Sequence, residues 1–105
     1  MEPFTQKVIK VIQRIPSGQV MTYGQIAAHA GSPRGARQVA RMLHSMSSKY
    51  NLPWHRVINA EGKISIQDSG HRKIQEELLR AEGVEIKAAK IDLAQFRFDP
   101  GEDLC

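Results

Sequence analysis

Apolar residues recur along this chain mostly at three- and four-residue steps and alternate only in short runs, so the pattern is mainly helical. Phe4, Val8, Val11, Ile12 and Ile15 share one face of a helix over 3–15, with Lys7, Lys10 and Arg14 elsewhere on the cylinder. Pro3 suits its first turn, and Pro16 with Gly18 ends it. Thr22-Tyr23-Gly24-Gln25 matches a capping box, in which a Thr side chain accepts from the amide three residues on and Gln reaches back. A short helix follows, with Ile26, Ala27 and Ala30 inward and Gly31 as its left-handed terminator. Ser32 as N-cap and Pro33 at the first position predict a second helix over about 33–47. Two short helices joined through a glycine turn predict a helix-turn-helix.

Beyond it, 47–53 reads as a polar loop, Trp54 to Ile58 as a short extended or turn segment, and Asn59 to Lys63 as a turn. Ile64 and Ile66 alternate with Ser65 and Gln67 and predict a short strand, which Asp68-Ser69-Gly70 breaks. A helix over 71–82 would turn Ile74, Leu78 and Leu79 inward and stop at Gly83. The apolar positions from Val84 to Phe98 predict short strands or an irregular packed segment, and 99–105 a frayed, flexible tail. No repeat or internal linker interrupts the 105 residues, so the expectation is a single domain over 1–105, mainly α with small β elements.

Composition excludes more than it selects. Hydrophobic residues at 41% and charged residues at 25% are ordinary for a soluble domain. No apolar run reaches the roughly 20 residues a membrane helix needs. Met1-Glu2-Pro3-Phe4 lacks the basic and apolar regions of a signal peptide, which predicts a cytoplasmic location. Cys105 is the only cysteine, and the four histidines show no ligand spacing, so neither metal nor cofactor is expected.

Charge changes the picture. Residues 1–60 carry eight Lys/Arg against one acidic residue, and 61–105 carry seven against ten. A basic front half suits a polyanion. Arg34, Arg37, Arg41 and His44 recur on one face of the second helix of the pair, opposite Val39, Leu43 and Met46. Gly35, Ala36 and Ala40 keep that helix slim, and no acidic residue lies between Pro33 and Arg56. The helix N-terminus adds partial positive charge near Arg34. These features together point to nucleic acid.

The candidate chemistry lies in Pro53-Trp54-His55-Arg56-Val57-Ile58. This segment resembles the Pro-Cys-His-Arg-Val active site of the O6-alkylguanine-DNA alkyltransferases. Gly18 to Ala27 resembles that family's first DNA-binding helix, Ala36-Arg37-Gln38-Val39 the start of its recognition helix, and Leu78 to Gly83 its closing helix. The resemblance runs from about Phe4 to Val84 and covers the family's DNA-binding domain. It implies a winged helix-turn-helix-like fold that enters the minor groove. Trp54 stands where the family has its reactive cysteine. An indole offers no nucleophile comparable to a thiolate. That substitution is typical of the alkyltransferase-like branch, which binds alkylated guanine without repairing it and hands it to nucleotide excision repair.

The resemblance assigns roles. Arg37 matches the finger that replaces the extruded base, and Tyr23 the tyrosine that presses on the adjacent phosphate; both favour base flipping. Thr22, Arg34, Gln38, Arg41 and Lys49 become contacts to the DNA backbone, with Gly35, Ala36 and Ala40 allowing close approach. Trp54, Tyr23, Val57 and Ser69 are expected to line the lesion pocket. His55 and Glu82 match the pair that activates the thiol and are expected to persist as a structural pair. Arg56 reads as structural or as a contact to the recognition helix. Met46 stands where the enzymes have asparagine. The expected partners are double-stranded DNA containing O6-alkylguanine and nucleotide excision repair proteins, with the chain itself a monomer and not an enzyme. Location would be nucleoid-associated in a bacterium and nuclear in a eukaryote. Two other readings are a helix-turn-helix regulator without damage specificity and a transferase using Cys105.

Overall fold

The computed structural model describes residues 3–64 and 69–100. Helix α1 (Pro3–Gln13) buries Val8, Ile9, Val11 and Ile12. Strand β1 (Met21–Thr22) leads directly into α2 (Tyr23–His29), and α3 (Ala36–Met46) packs against α2. A 3-10 turn over Trp54–Arg56 runs into strand β2 (Val57–Ile58). Helix α4 (Ser69–Ala81) and the short α5 (Leu93–Phe96) complete the described chain.

The capping box forms as expected. Gln25 N donates to Thr22 Oγ1 at 3.0 Å, and Thr22 N donates to Gln25 Oε1 at 3.3 Å. Gly31 takes φ +96°, a conformation that costs a side-chain-bearing residue but not glycine. The second helix begins later than Ser32-Pro33 predicts. Gly35 N donates to Ser32 O at 2.9 Å, which closes a turn over 32–35, and Gly35 is the N-cap. Gly35 is buried rather than exposed: a Cβ there would sit 2.9 Å from the Phe4 ring and 3.1 Å from Ser32 O. Its missing side chain therefore serves the packing of α1 under the turn, not approach to a ligand.

The parallel pair β1–β2, in register Met21↔Val57 and Thr22↔Ile58, divides the interior. Successive strand residues face opposite ways. Met21 and Val57 thus enter one core cluster with Val8, Ile12, Ile26 and Val39. Val20 and Ile58 enter the other, with Leu79, Val84 and Ile91. The segment after α5 lies along β1 through Val20 N to Phe96 O (2.9 Å) and Phe98 N to Val20 O (2.7 Å).

Helix α4 departs from its expected orientation and start. It begins at Ser69, inside the predicted break. Leu79 is fully buried, but Ile74 and Leu78 are exposed at 46% and 39%, and Gln75 takes the inward position at 1%. Ile64 pairs irregularly, its N–H donating to Ala89 O at 3.0 Å. The remainder of the predicted strand through Ile66, the break at Asp68 and the tail at 101–105 with Cys105 lie outside the described residues.

Candidate functional site

The strand pairing brings two distant segments together. Thr22, the last residue of β1, pairs with Ile58, so Tyr23 at the start of α2 and Trp54 in the 3-10 turn come to one cavity. That cavity holds about 600 Å³. Helix α3 supplies Ala40, Leu43, His44 and Ser47 to one wall, and α4 supplies His71 and Ile74 to another. Burial pushes the Tyr23 hydroxyl above its ordinary 10.0, so it stays protonated and able to donate.

The Trp54 indole makes T-shaped contacts with two imidazoles. The His55 ring lies 6.3 Å away at 85°, and the His71 ring 6.2 Å away at 77°. Trp54 also borders a second hollow of about 520 Å³ with Gln13, Tyr50 and Asn51. It thus contributes to the lining of both spaces.

Behind Trp54 sits a charged hub. His55 Nε2 lies 2.7 Å from Glu82 Oε2, and Arg56 Nη2 donates to the same oxygen at 2.7 Å. Arg56 Nε and the Gly18 amide donate to Glu82 Oε1, each at 3.0 Å. Burial pushes the Glu82 carboxyl up, but the Arg56 hydrogen bond, the Gly18 amide and His55 outweigh it, leaving a pKa of about 2. An ionised carboxylate only accepts, so the His55 Nε2 facing it carries a hydrogen. Arg56 also reaches Ile15 O at 2.9 Å. Arg56 therefore ties α4 to the end of α1 and makes its bonds there, not to the recognition helix.

The expected pocket residues separate. Tyr23 and Trp54 line the cavity. Val57 does not: it is buried at 1% in the core cluster, because its side of β2 faces α1 and α2. Ser69 is exposed on the first turn of α4 and does not line the cavity. Ala40 was expected on the DNA face and is at the cavity wall as well. Arg34, Arg37, Gln38, Arg41 and Lys49 are all exposed, and Ala36 is half-buried at the first turn of α3. Thr22 is buried, its hydroxyl accepting from Gln25 N. Lys49 lies 5.5 Å from the Tyr50 ring centre.

Leu43, His44, Ser47, His71 and Ile74 were not expected at the cavity. His44 belongs to the basic stripe of the sequence pattern and Leu43 to the apolar face opposite it, and both have atoms at the cavity. For His71 and Ile74 no signal exists in the local sequence, since only the placement of α4 brings them to Trp54. Gln75 is a further unforeseen participant. Its Nε2 donates to His55 O and Val57 O, both at 3.1 Å, which pins the Trp54 segment to α4. Among the described residues no group of three His, Cys, Asp or Glu is placed to hold a metal, and no helix is long and apolar enough to cross a membrane.

The sequence model described as the DNA-binding domain of 6-O-methylguanine DNA methyltransferase matches residues 3–84. The DNA base-flipping protein of Escherichia coli is 41% identical over 99 residues, covering 93% of this chain and 76% of that protein. A solved structure of S. pombe Atl1 in complex with damaged DNA containing O6-carboxymethylguanine superposes with a TM-score of 0.85 at 39% identity, covering 95% of this chain and 98% of that one. The O6-methylguanine methyltransferase of Mycobacterium tuberculosis superposes at 0.63 with 31% identity, over 90% of this chain and 55% of that one.

Proposed function

This chain belongs to the family defined by the DNA-binding domain of 6-O-methylguanine DNA methyltransferase, and from that premise we propose that it binds O6-alkylguanine in DNA without removing the alkyl group. The observation that carries the reading is Trp54 in the Pro53-to-Val57 frame, beside an intact His55–Glu82 pair. The reaction of a transferase needs a thiolate aimed at the alkyl carbon. An indole at that place leaves the surrounding hydrogen bonds without an attacking atom to activate.

The physical task is to reach a base atom inside the duplex. Extrusion costs a few kcal/mol of stacking and pairing, and less for a base that already pairs poorly. Helix α3 presents Arg37 and Arg41 on its exposed face. In this reading Arg37 fills the vacated stack, where its planar guanidinium both stacks and hydrogen-bonds. Tyr23 bears on the neighbouring phosphate. Arg34, Gln38, Arg41 and Lys49 hold the backbone, which sets register without reading sequence. The extruded base enters the cavity beside Tyr23 and Trp54, where stacking on an aromatic ring contributes roughly 1–3 kcal/mol.

The protein then acts as a monomeric marker. It holds the lesion, excludes a transferase from it and hands it to nucleotide excision repair, in the cytoplasm of a bacterium or the nucleus of a eukaryote. The test compares binding to methylated and unmodified duplexes and then recovers the DNA for base analysis. Tighter binding to the methylated duplex, with O6-methylguanine recovered intact, supports the reading. Equal affinities, or label moving to the protein, would overturn it.

A further inference from the structure

Residues 85–100 lie beyond the stretch that the family's sequence model matches, and the lesion-binding reading gives them no part. The fold returns them to the start of α2. Val20 N donates to Phe96 O at 2.9 Å, and Phe98 N donates to Val20 O at 2.7 Å. The strand leading into α2 is therefore held by β2 at Met21 and Thr22 and by this segment one residue earlier. Phe98 packs on the core cluster that contains Ile26 and Ala27 of α2, and Phe96 packs on the other cluster. At the far end of α2, His29 lies 4.0 Å from Asp99. Gln25 joins the segment to the helix cap. Its Oε1 accepts from Thr22 N, and its Nε2 donates to Phe98 O. Only this orientation of the amide satisfies both bonds, because turning it would set donor against donor and acceptor against acceptor. Tyr23 is the first residue of α2 and lies between Thr22 and Gln25.

A side chain that presses on a phosphate moves it only if its own mounting yields less than the DNA does. The capping box is local to the first turn and turns with it. The bond to Phe98 ties that turn to a segment packed on both core clusters. We propose that Gln25 and Phe98 form a tie that fixes Tyr23 for extrusion of the base. Both are positioning residues, acting through Tyr23. The inference rests on the lesion-binding function proposed above and assigns residues 96–98 a part in it.

The experiment uses the intact chain and duplexes in which 2-aminopurine, which brightens when unstacked, neighbours either O6-methylguanine or guanine. The rise in its emission at saturating protein reports extrusion whatever the affinity. Gln25→Glu keeps an acceptor for Thr22 N and loses the donor to Phe98 O. Its rise on the methylated duplex should fall to about half or less, and its preference for methylated over unmodified duplex about three- to tenfold, as loss of a hydrogen bond implies. Gln25→Lys keeps a donor for Phe98 O, loses the acceptor for Thr22 N and should recover most of the rise. If Gln25 served only the helix cap, that order would be reversed. Phe98→Ala loosens the segment without changing a residue of α2 and should reproduce the Gln25→Glu loss; if it does not fold, the two Gln25 variants decide. A wild-type rise in Gln25→Glu or in folded Phe98→Ala, or a smaller rise in Gln25→Lys than in Gln25→Glu, overturns this proposal alone. So does a wild-type protein that prefers the methylated duplex without any rise. Equal wild-type affinity for methylated and unmodified duplexes overturns the lesion-binding reading itself.

Discussion

At the scale of single residues, Glu82 shows how one carboxylate frames the segment that carries Trp54. Its carboxylate accepts from His55, Arg56 and the Gly18 amide, joining three segments remote in sequence. Its pKa of about 2 lies below the ordinary 4.5. Between those values the unfolded chain binds more protons than the folded one, so the Glu82 contribution to stability is complete above about pH 4.5 and is lost as pH falls toward 2. Urea melts from pH 7 down to 3 should show Glu82→Gln less stable by about 1–3 kcal/mol at neutral pH, with the gap narrowing as acid protonates the wild-type carboxyl. Arg37 tests the other side of the site. Arg37→Ala should weaken binding to a methylated duplex by roughly 1–3 kcal/mol while affecting unmodified duplex less, measured by fluorescence anisotropy. Equal losses on both duplexes would reduce Arg37 to a backbone contact. Trp54→Cys restores the thiol alone. Little transfer of labelled methyl to that variant is expected, because Met46, half-buried against the core, stands where the family resemblance implies an asparagine in the enzymes. Fast transfer would show that only the sulfur is missing.

At the scale of elements, what could be read from the chain was whatever its physics keeps local. The capping box at Thr22 and Gln25 closes within four residues, and the stop at Gly31 needs only its own φ, so both were legible. The start of α3 was not, because the Ser32 signal competes with a turn whose tightness depends on Phe4, far away in sequence. Val57 and Gln75 show the same limit in the site. A β-branched residue beside a tryptophan reads equally well as pocket wall or core, and the pairing of β2 with β1 decides for core. A glutamine followed by two glutamates reads as solvent-facing, yet Gln75 is buried and supports the Trp54 segment from α4. Its Oε1 is buried without a partner among the described residues, an arrangement that costs stability. Gln75→Leu removes that burden together with two hydrogen bonds. Thermal melts should therefore show a change of no more than about 1 kcal/mol. Discrimination between methylated and unmodified duplexes should fall severalfold nonetheless, with a shifted emission maximum from Trp54. A variant that melts normally and discriminates normally would confine Gln75 to packing.

At the scale of the whole molecule, the charge gradient along the sequence becomes a gradient across the fold. Of the exposed cations of the first half, Lys7, Lys10 and Arg14 lie on or just after α1, while Arg37 and Arg41 lie on α3 with Arg34 in the turn before it and Lys49 in the loop after it. Much of the acidic second half lies on α4 and beyond, where Glu76 meets Arg80 at 3.7 Å and Glu85 meets Lys87 at 3.0 Å, pairing charge internally. The basic face therefore has no acidic residue in its own stretch from Pro33 to Arg56 to neutralise it. A surface of that kind binds DNA by releasing counterions, and the logarithm of affinity falls with the logarithm of salt by about 0.9 per phosphate neutralised. Arg34→Ala and Arg41→Ala should each lower the magnitude of that slope by about one, equally on damaged and undamaged duplexes, in titrations from low to physiological salt. The ratio of the two affinities should stay constant across the same titration. On the proposed function it arises at Arg37 and in the cavity at Trp54, where contacts to the base displace few ions, while Arg34 and Arg41 act on both duplexes alike. If instead the ratio falls steeply with salt, lesion selection comes from backbone charge on a deformed duplex rather than from the base.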